Sequence, residues 1–83
     1  MALFFVAYDI DESHENEYED LWNDLKSFNA KRVQKSVWAL RSDKDATSLR
    51  DTFEKRLREG DRLLIIEEKH WSSFNSMHKI SSI

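Results

Sequence analysis

The central stretch of this chain is Leu3-Phe4-Phe5-Val6-Ala7-Tyr8-Asp9-Ile10, an apolar run of residues that favour β-strands. The run is too short to span a bilayer, which needs about 20 residues, and it predicts a strand over residues 2–9 that is buried on both faces. Asp9 stands at the end of this strand, and no nearby cation in the sequence neutralises it. A rigidly held carboxylate suits Mg²⁺, which prefers hard oxygen ligands. The stretch alone explains Asp9 equally well as the start of the turn into the next helix.

Length and composition limit the class of protein. The 83 residues predict one domain over 1–83 with no internal linker. A chain this short buries only about 60% of its unfolded surface, so we expect a homodimer in which a second copy covers apolar area. The chain has no cysteine, which excludes a disulfide framework and a thiolate metal site. Since no signal peptide or membrane span is recognisable, we expect a cytoplasmic protein with no membrane partner.

The net charge of −3 hides an asymmetry along the chain. Before Lys26 the charged residues are acidic, whereas the remainder carries more Lys and Arg than Asp and Glu. Clustered cations are needed to contact phosphates, and a diffuse acidic surface repels a polyanion. The composition therefore counts against a dedicated binder of duplex DNA but is compatible with one basic face.

Residues 11–41 predict a helix followed by two short strands. Asp11 or Ser13 can cap the helix, whose apolar stripe recurs at helical spacing: Tyr18, Leu21, Trp22, Leu25 and Phe28. Residues 31–41 contain β-branched and aromatic side chains and predict an antiparallel pair of strands. Because the junction near Lys35-Ser36 lacks the usual turn residues, a single bent strand is the alternative.

Residues 42–67 predict a second helix and a further strand. Ser42-Asp43-Lys44-Asp45 matches the spacing of a capping box, so we expect the helix to start there. The glycine at Gly60 is expected to end it, because glycine reaches the left-handed conformation without steric penalty. The inward positions of this helix are Ala46, Leu49, Phe53 and Leu57. Residues 62–67 then predict a buried strand.

The segment 69–83, which we call the tail, has apolar residues at spacings of three: Trp71, Phe74, Met77 and Ile80. This spacing predicts a short helix capped by Ser72, or a segment that packs on the domain or across a dimer partner. The three histidines, His14, His70 and His78, lack the spacing of a zinc site, and we expect them on the surface.

The element order strand, helix, strand, strand, helix, strand predicts an α+β fold of the ferredoxin-like type, with one antiparallel sheet and both helices on one face. In this topology the first and third strands are central, and the polar second strand can lie at an edge. Residues 62–67 would form the other edge. An apolar edge strand needs a cover, which the tail or a second subunit could supply.

Short motifs in the chain resemble known families. Tyr8-Asp9-Ile10 together with Arg32-Val33-Gln34-Lys35-Ser36-Val37-Trp38 resembles the CRISPR-associated protein 2 family. Ile66-Glu67-Glu68 followed by Trp71-Ser72-Ser73-Phe74 resembles virulence-associated protein D, a ribonuclease toxin relative with the same fold. These motifs leave the choice between the two branches open.

The resemblance implies a dimer in which two copies of Asp9 face each other across a cleft and bind Mg²⁺ or Mn²⁺. It implies a metal-dependent endonuclease that acts on RNA more than on DNA. The expected catalytic residues besides Asp9 are Tyr8, which would lie beside it, and Ser36, which would supply a hydroxyl near the cleft. The residues expected to contact nucleic acid are Arg32, Lys35, Trp38, which stands where the family usually has Phe, and Arg41.

One departure from the resemblance concerns the first helix, where members of the CRISPR branch often carry arginines. This chain has Asn16, Glu17 and Tyr18 in that region. Loss of phosphate contacts weakens nucleic-acid affinity, so either the substrate path runs over Arg32, Lys35 and Arg41 or the activity has been lost. The alternative function is a non-catalytic dimeric adaptor that binds a basic protein partner or nucleic acid, in which Asp9 only orders a turn.

Overall fold

A computed structural model describes residues 1–83, apart from the side chain of Glu12. The elements in chain order are β1 (Ala2–Asp9), a 3₁₀ segment (Glu12–Tyr18), α1 (Glu19–Ser27), β2 (Lys31–Gln34), β3 (Val37–Ser42), α2 (Ala46–Glu54), β4 (Arg62–Glu67) and a last 3₁₀ turn (Ile80–Ser82). The expected order of strands and helices is thereby confirmed. Within the described part of the chain, no helix is both long and apolar enough to cross a membrane.

The four strands form one antiparallel sheet in the order β2-β3-β1-β4. The two inner strands are β1 and β3, and the edges are β2 and β4, as the sequence predicted. Along β1, Ala7 is opposite Val37 of β3, and Asp9 is opposite Arg62 of β4. The end of β1 therefore lies at the edge of the molecule, where Asp9 is paired with Arg62, the first residue of β4.

Alternation along the strands separates the sheet into two faces. On one face, side chains such as Phe4 and Val6 of β1 pack with Leu21 and Leu25 of α1 and with Leu49 and Phe53 of α2. The opposite face holds a smaller apolar cluster of Leu3, Val33 and Ala39. Both helices thus cover the same face, which confirms the ferredoxin-like α+β architecture.

The first helical region starts differently from the predicted single helix. Its cap is Asp11, one of the two expected residues, whose Oδ1 accepts hydrogen bonds from the Ser13 backbone N–H (3.0 Å) and hydroxyl (2.6 Å). These hydrogen bonds lower the pKa of Asp11. The 3₁₀ segment breaks helical geometry at His14, so α1 begins only at Glu19. The predicted apolar stripe is nevertheless correct, because its members are buried or half-buried in the core.

Residues 31–41 form two strands, so the predicted hairpin is confirmed and the alternative of a single bent strand is wrong. The strands meet in a turn at Lys35-Ser36, and their register shifts between Arg32 and Gln34. Such a bulge closes the hairpin without the glycine or asparagine that a regular two-residue turn requires.

The predicted ends of α2 are both wrong. Its cap is Asp45, which accepts from the Ser48 N–H at 2.8 Å, whereas the Ser42 hydroxyl accepts only from the Lys44 N–H. The helix ends at Glu54, well before Gly60. After the helix the backbone hydrogen bonds tighten, since the Arg56 and Leu57 N–H groups donate to the Phe53 and Glu54 carbonyls three residues back. The Arg58 N–H then donates to the Asp61 carboxylate at 2.7 Å.

The tail does not form the helix predicted from Ser72. It runs back along the face of the sheet that the helices leave open: the Met77 N–H donates to the Val33 carbonyl at 2.8 Å, and Ile80 is buried against Leu3, Val33 and Ala39. Phe74 is 89% exposed. The spacing of three therefore reflects an irregular segment in which only some apolar residues contact the sheet.

Candidate functional site

Asp9 and Arg62 form an exposed pair at the end of the inner strand β1. Asp9 Oδ2 lies 3.6 Å from Arg62 Nη1, and the two side chains are 74% and 82% exposed. The expectation that no nearby cation neutralises Asp9 is therefore wrong in three dimensions. The cation comes from β4, far away in sequence, because the β1–β4 register sets the two residues opposite each other.

This pair borders an open cavity of about 290 Å³. The lining residues belong to the adjoining ends of β1 and β4: Ala7, Tyr8, Asp9, Arg62, Leu63 and Leu64. The cavity thus combines one carboxylate and one guanidinium with mainly apolar walls. A charged ligand could bind in such an open cavity without being completely buried.

The donor set at Asp9 fits a divalent cation only as a single ligand. Mg²⁺ commonly keeps several of its waters and takes one or two carboxylates from the protein. Among the side chains that the structure describes, no group of three or more His, Asp or Glu side chains could hold a metal ion. One chain therefore offers one hard, solvent-accessible oxygen ligand.

Tyr8 lies on the other face of the sheet from the Asp9 side chain, because successive residues of a strand point to opposite faces. Its hydroxyl accepts from Trp38 Nε1 at 3.0 Å and from Arg32 Nη2 at 3.4 Å, and donates to the Lys35 carbonyl at 3.4 Å. Burial raises the pKa of Tyr8, against the lowering effect of the Trp38 and Arg32 hydrogen bonds. The phenol is therefore protonated and engaged inside the protein at neutral pH.

Arg32 contacts four residues besides Tyr8. Its Nη2 lies 3.0 Å from Glu15 Oε1, its Nε donates to the Lys35 carbonyl at 2.9 Å, and its guanidinium carbon is 5.3 Å and 5.7 Å from the ring centroids of Trp22 and Trp38. Burial lowers the pKa of Arg32, but the hydrogen bonds to Glu15 and Tyr8 outweigh it and raise the pKa overall. A phosphate that approached this guanidinium would have to compete with the Glu15 carboxylate.

The other predicted site residues lie in two places. Ser36 is half-buried in the hairpin turn, where its carbonyl accepts the Tyr8 N–H at 3.2 Å, and Lys35 beside it is exposed. Trp38 is buried and stacks on Trp22 with 6.0 Å between ring centroids. These residues therefore gather around Tyr8 and Arg32.

Arg41 lies far from that group. It is opposite Leu3, near the start of β1, so a rise of about 3.3 Å per residue separates it from Asp9 by about 20 Å. Its Nε donates to the Ile83 carbonyl at 2.6 Å. A path over Arg32, Lys35 and Arg41 would thus have to run along the whole length of the sheet.

The sequence did not predict a place near the site for three residues: Glu15, Trp22 and Arg62. Trp22 was expected only in the core, and nothing in the local sequence pairs Glu15 with Arg32. For Arg62 the sequence contained one indication of its position, because the predicted topology places β4 beside β1. Only the register between these strands, which the sequence did not show, identifies Asp9 as its neighbour.

The fold and the site formed by Asp9 and Arg62 define a ferredoxin-like α+β protein with an exposed carboxylate at the end of its first strand. A family model described as CRISPR associated protein Cas2 matches residues 1–74. The chain therefore belongs to the Cas2 family. The match includes the whole sheet, both helices and the first part of the tail, and it identifies the first of the two resemblances as the family of this chain.

Proposed function

We propose that this protein is a metal-dependent endonuclease that cleaves RNA, with Asp9 as its metal ligand. Members of the Cas2 family are generally endoribonucleases, which supports the reaction class. The observation that carries the proposal is the exposed Asp9 carboxylate at the end of an inner strand, bordering an open cavity. Mg²⁺ or Mn²⁺ would suit this oxygen ligand.

The proposed site needs a second subunit, since one chain supplies one carboxylate. In a homodimer whose copies of Asp9 face each other, two carboxylates would hold one cation. When bound, the cation lowers the pKa of a bound water and neutralises charge on the phosphate. Asp9 itself does no proton transfer in this proposal and only holds the ion at the cavity.

The remaining predicted residues take supporting positions in the proposal. Tyr8 and Trp38 would hold Arg32 and the hairpin turn in place, and the Ser36 hydroxyl would lie at the rim near the cleft. Lys35 would contact nucleic acid from the exposed side of the turn. Contacts by Arg32 and Arg41 stay predictions, because a phosphate would compete with Glu15 for Arg32, and Arg41 lies at the far end of the sheet.

The test is cleavage of unstructured RNA with Mg²⁺ or Mn²⁺ and with EDTA. We expect the wild type to cleave only with metal and Asp9→Asn to lose this cleavage. The matched control is Asp51→Asn, which removes an exposed carboxylate that also pairs with an arginine, Arg50. Equal cleavage by wild type and Asp9→Asn would contradict the role of Asp9.

A non-catalytic dimeric adaptor is the second candidate, favoured by one observation. Glu15 forms an ion pair with Arg32, and Glu17 forms one with Arg58. These two glutamates of the 3₁₀ segment therefore bind arginines that could otherwise contact phosphate. In this case neither wild type nor variants would cleave RNA, although dimerisation and binding of nucleic acid or a basic protein would persist. The cleavage assay therefore separates the two functions.

A further inference from the structure

The Asp9–Arg62 pair is looser than the other arginine–carboxylate pairs of the described residues. Those four pairs have N–O distances between 2.5 and 3.0 Å, whereas Asp9 and Arg62 are 3.6 Å apart. Arg62 is also 82% exposed. Because exposed ion pairs contribute little to stability, this pair can open at a small cost in free energy.

We propose that Arg62 is a phosphate-binding residue of the Asp9 site and that a divalent cation releases it from Asp9. This inference rests on the proposed function. A cation bound to Asp9 would repel a guanidinium that stood 3.6 Å from the same carboxylate. The freed guanidinium can turn toward the cavity that it already lines, where its fork of N–H donors suits two phosphate oxygens.

The position of the other candidate arginines strengthens the assignment. Arg32 donates to Glu15 and to a backbone carbonyl and is only 30% exposed, and Arg41 lies about 20 Å from Asp9 along the strands. Arg62 borders the same cavity as Asp9. At about 290 Å³ the cavity has room for a phosphate group together with several waters of about 30 Å³ each.

The first test measures Mn²⁺ binding by isothermal titration calorimetry without nucleic acid. Arg62→Gln removes the competing cation, so we expect Mn²⁺ to bind about two- to fivefold more tightly than to wild type. Asp9→Asn should abolish this binding. Arg50→Gln is the matched control, because it removes an exposed arginine paired with Asp51 on α2 and should leave Mn²⁺ affinity unchanged.

The second test measures the affinity for a fluorescent 2′-O-methyl RNA oligonucleotide, chosen to slow cleavage, in Mn²⁺ at several salt concentrations. Losing one phosphate contact should lower the slope of log affinity against log salt by about 0.7 for a single strand. We expect this loss in Arg62→Gln, a partial loss in Arg62→Lys and none in Arg50→Gln. Lysine keeps the charge but cannot bind two phosphate oxygens in the same fork.

The two tests separate the inference from the function on which it rests. Tighter Mn²⁺ binding and weaker RNA binding by Arg62→Gln would support the inference. If wild type binds Mn²⁺ through Asp9 while Arg62→Gln matches wild type in either test, the role of Arg62 is wrong and the metal site stands. If wild type binds no Mn²⁺, both proposals are overturned.

Discussion

At the scale of single residues, Glu15 decides how Arg32 can act. The carboxylate lies 3.0 Å from Nη2 of Arg32, while Trp22 and Trp38 border the same guanidinium. Acids stand in the region where the family resemblance led us to expect arginines. The structure shows that one of these acidic residues, Glu15, forms an ion pair with an arginine of the same chain, Arg32.

Glu15→Gln should therefore raise the affinity for RNA by releasing Arg32 from a charged competitor. We expect a severalfold increase and a salt slope steeper by about 0.7, measured by fluorescence anisotropy. The free energy of unfolding should fall by no more than about 1 kcal/mol, because the pair is partly exposed. Glu19→Gln removes an equal charge from the exposed start of α1. An equal gain in that control would mean that Arg32 has no special role.

At the scale of elements, the loop before β4 is held to the 3₁₀ segment through Tyr18. The Tyr18 hydroxyl donates to Asp61 Oδ2 at 2.6 Å, and the Arg58 guanidinium lies over the Tyr18 ring at 5.3 Å. Burial, followed by the Asp61 carboxylate, raises the pKa of Tyr18 from 10.0 to about 12. These contacts join the end of the 3₁₀ segment to the loop that leads into β4, the strand that carries Arg62.

The raised pKa of Tyr18 predicts loss of stability in alkali. Folding favours the protonated phenol, so the contribution is complete below pH 10 and is lost as pH rises from 10.0 through about 12. Tyr18→Phe should lower the free energy of unfolding by about 1 kcal/mol at neutral pH and flatten its alkaline fall. Thermal melts across this pH range, with Tyr8→Phe for comparison, would measure the difference. An unchanged alkaline slope in Tyr18→Phe would contradict the assignment.

The tail provides a second prediction at this scale. Ile80 is 6% exposed against the open face of the sheet, whereas Phe74 is 89% exposed. Ile80→Ala should lower the free energy of unfolding by about 2 kcal/mol through lost apolar contacts and an unfilled cavity. Phe74→Ala serves as the control and should leave the stability of one subunit nearly unchanged. Denaturant unfolding at low protein concentration would show equal effects if the tail did not pack as described.

At the scale of the whole molecule, the apolar surface supports the proposed homodimer. Leu64 and Ile66 of the edge strand β4 are 57% and 45% exposed, and Trp71, Phe74 and Met77 of the tail are exposed as well. Apolar side chains on an unprotected edge strand favour association. A second copy would cover this surface and bring a second Asp9 to the site.

Light scattering should therefore give the mass of a dimer for the wild type. Leu64→Lys should shift the mass toward that of a monomer, because a charge would be buried without a partner at the covered edge. Thr47→Lys, on the exposed start of α2, introduces the same charge elsewhere and should leave the dimer intact. A monomeric wild type would remove the cleft with two copies of Asp9.

Local patterns alone determined most of the architecture of this protein. The apolar run of β1, the helical stripe on α1 and the order of elements predicted the sheet and its two inner strands, because alternation and helical spacing are properties of neighbouring residues. The carboxylate at Asp9 and the family were also recognised from short motifs. The early end of α2 could not be predicted this way, since the apolar spacing continues to Leu57 although the backbone after Glu54 has already left the α-helical hydrogen-bond pattern.

Only the tertiary structure decided what surrounds the candidate site. Asp9 has Arg62 as a neighbour because of one strand register, and Arg32 has Glu15 as a partner because the fold brings the 3₁₀ segment beside β2. The tail likewise lies on the sheet through a backbone hydrogen bond to Val33 and the burial of Ile80. These contacts join residues far apart in the chain, and their distances depend on packing that no local pattern encodes.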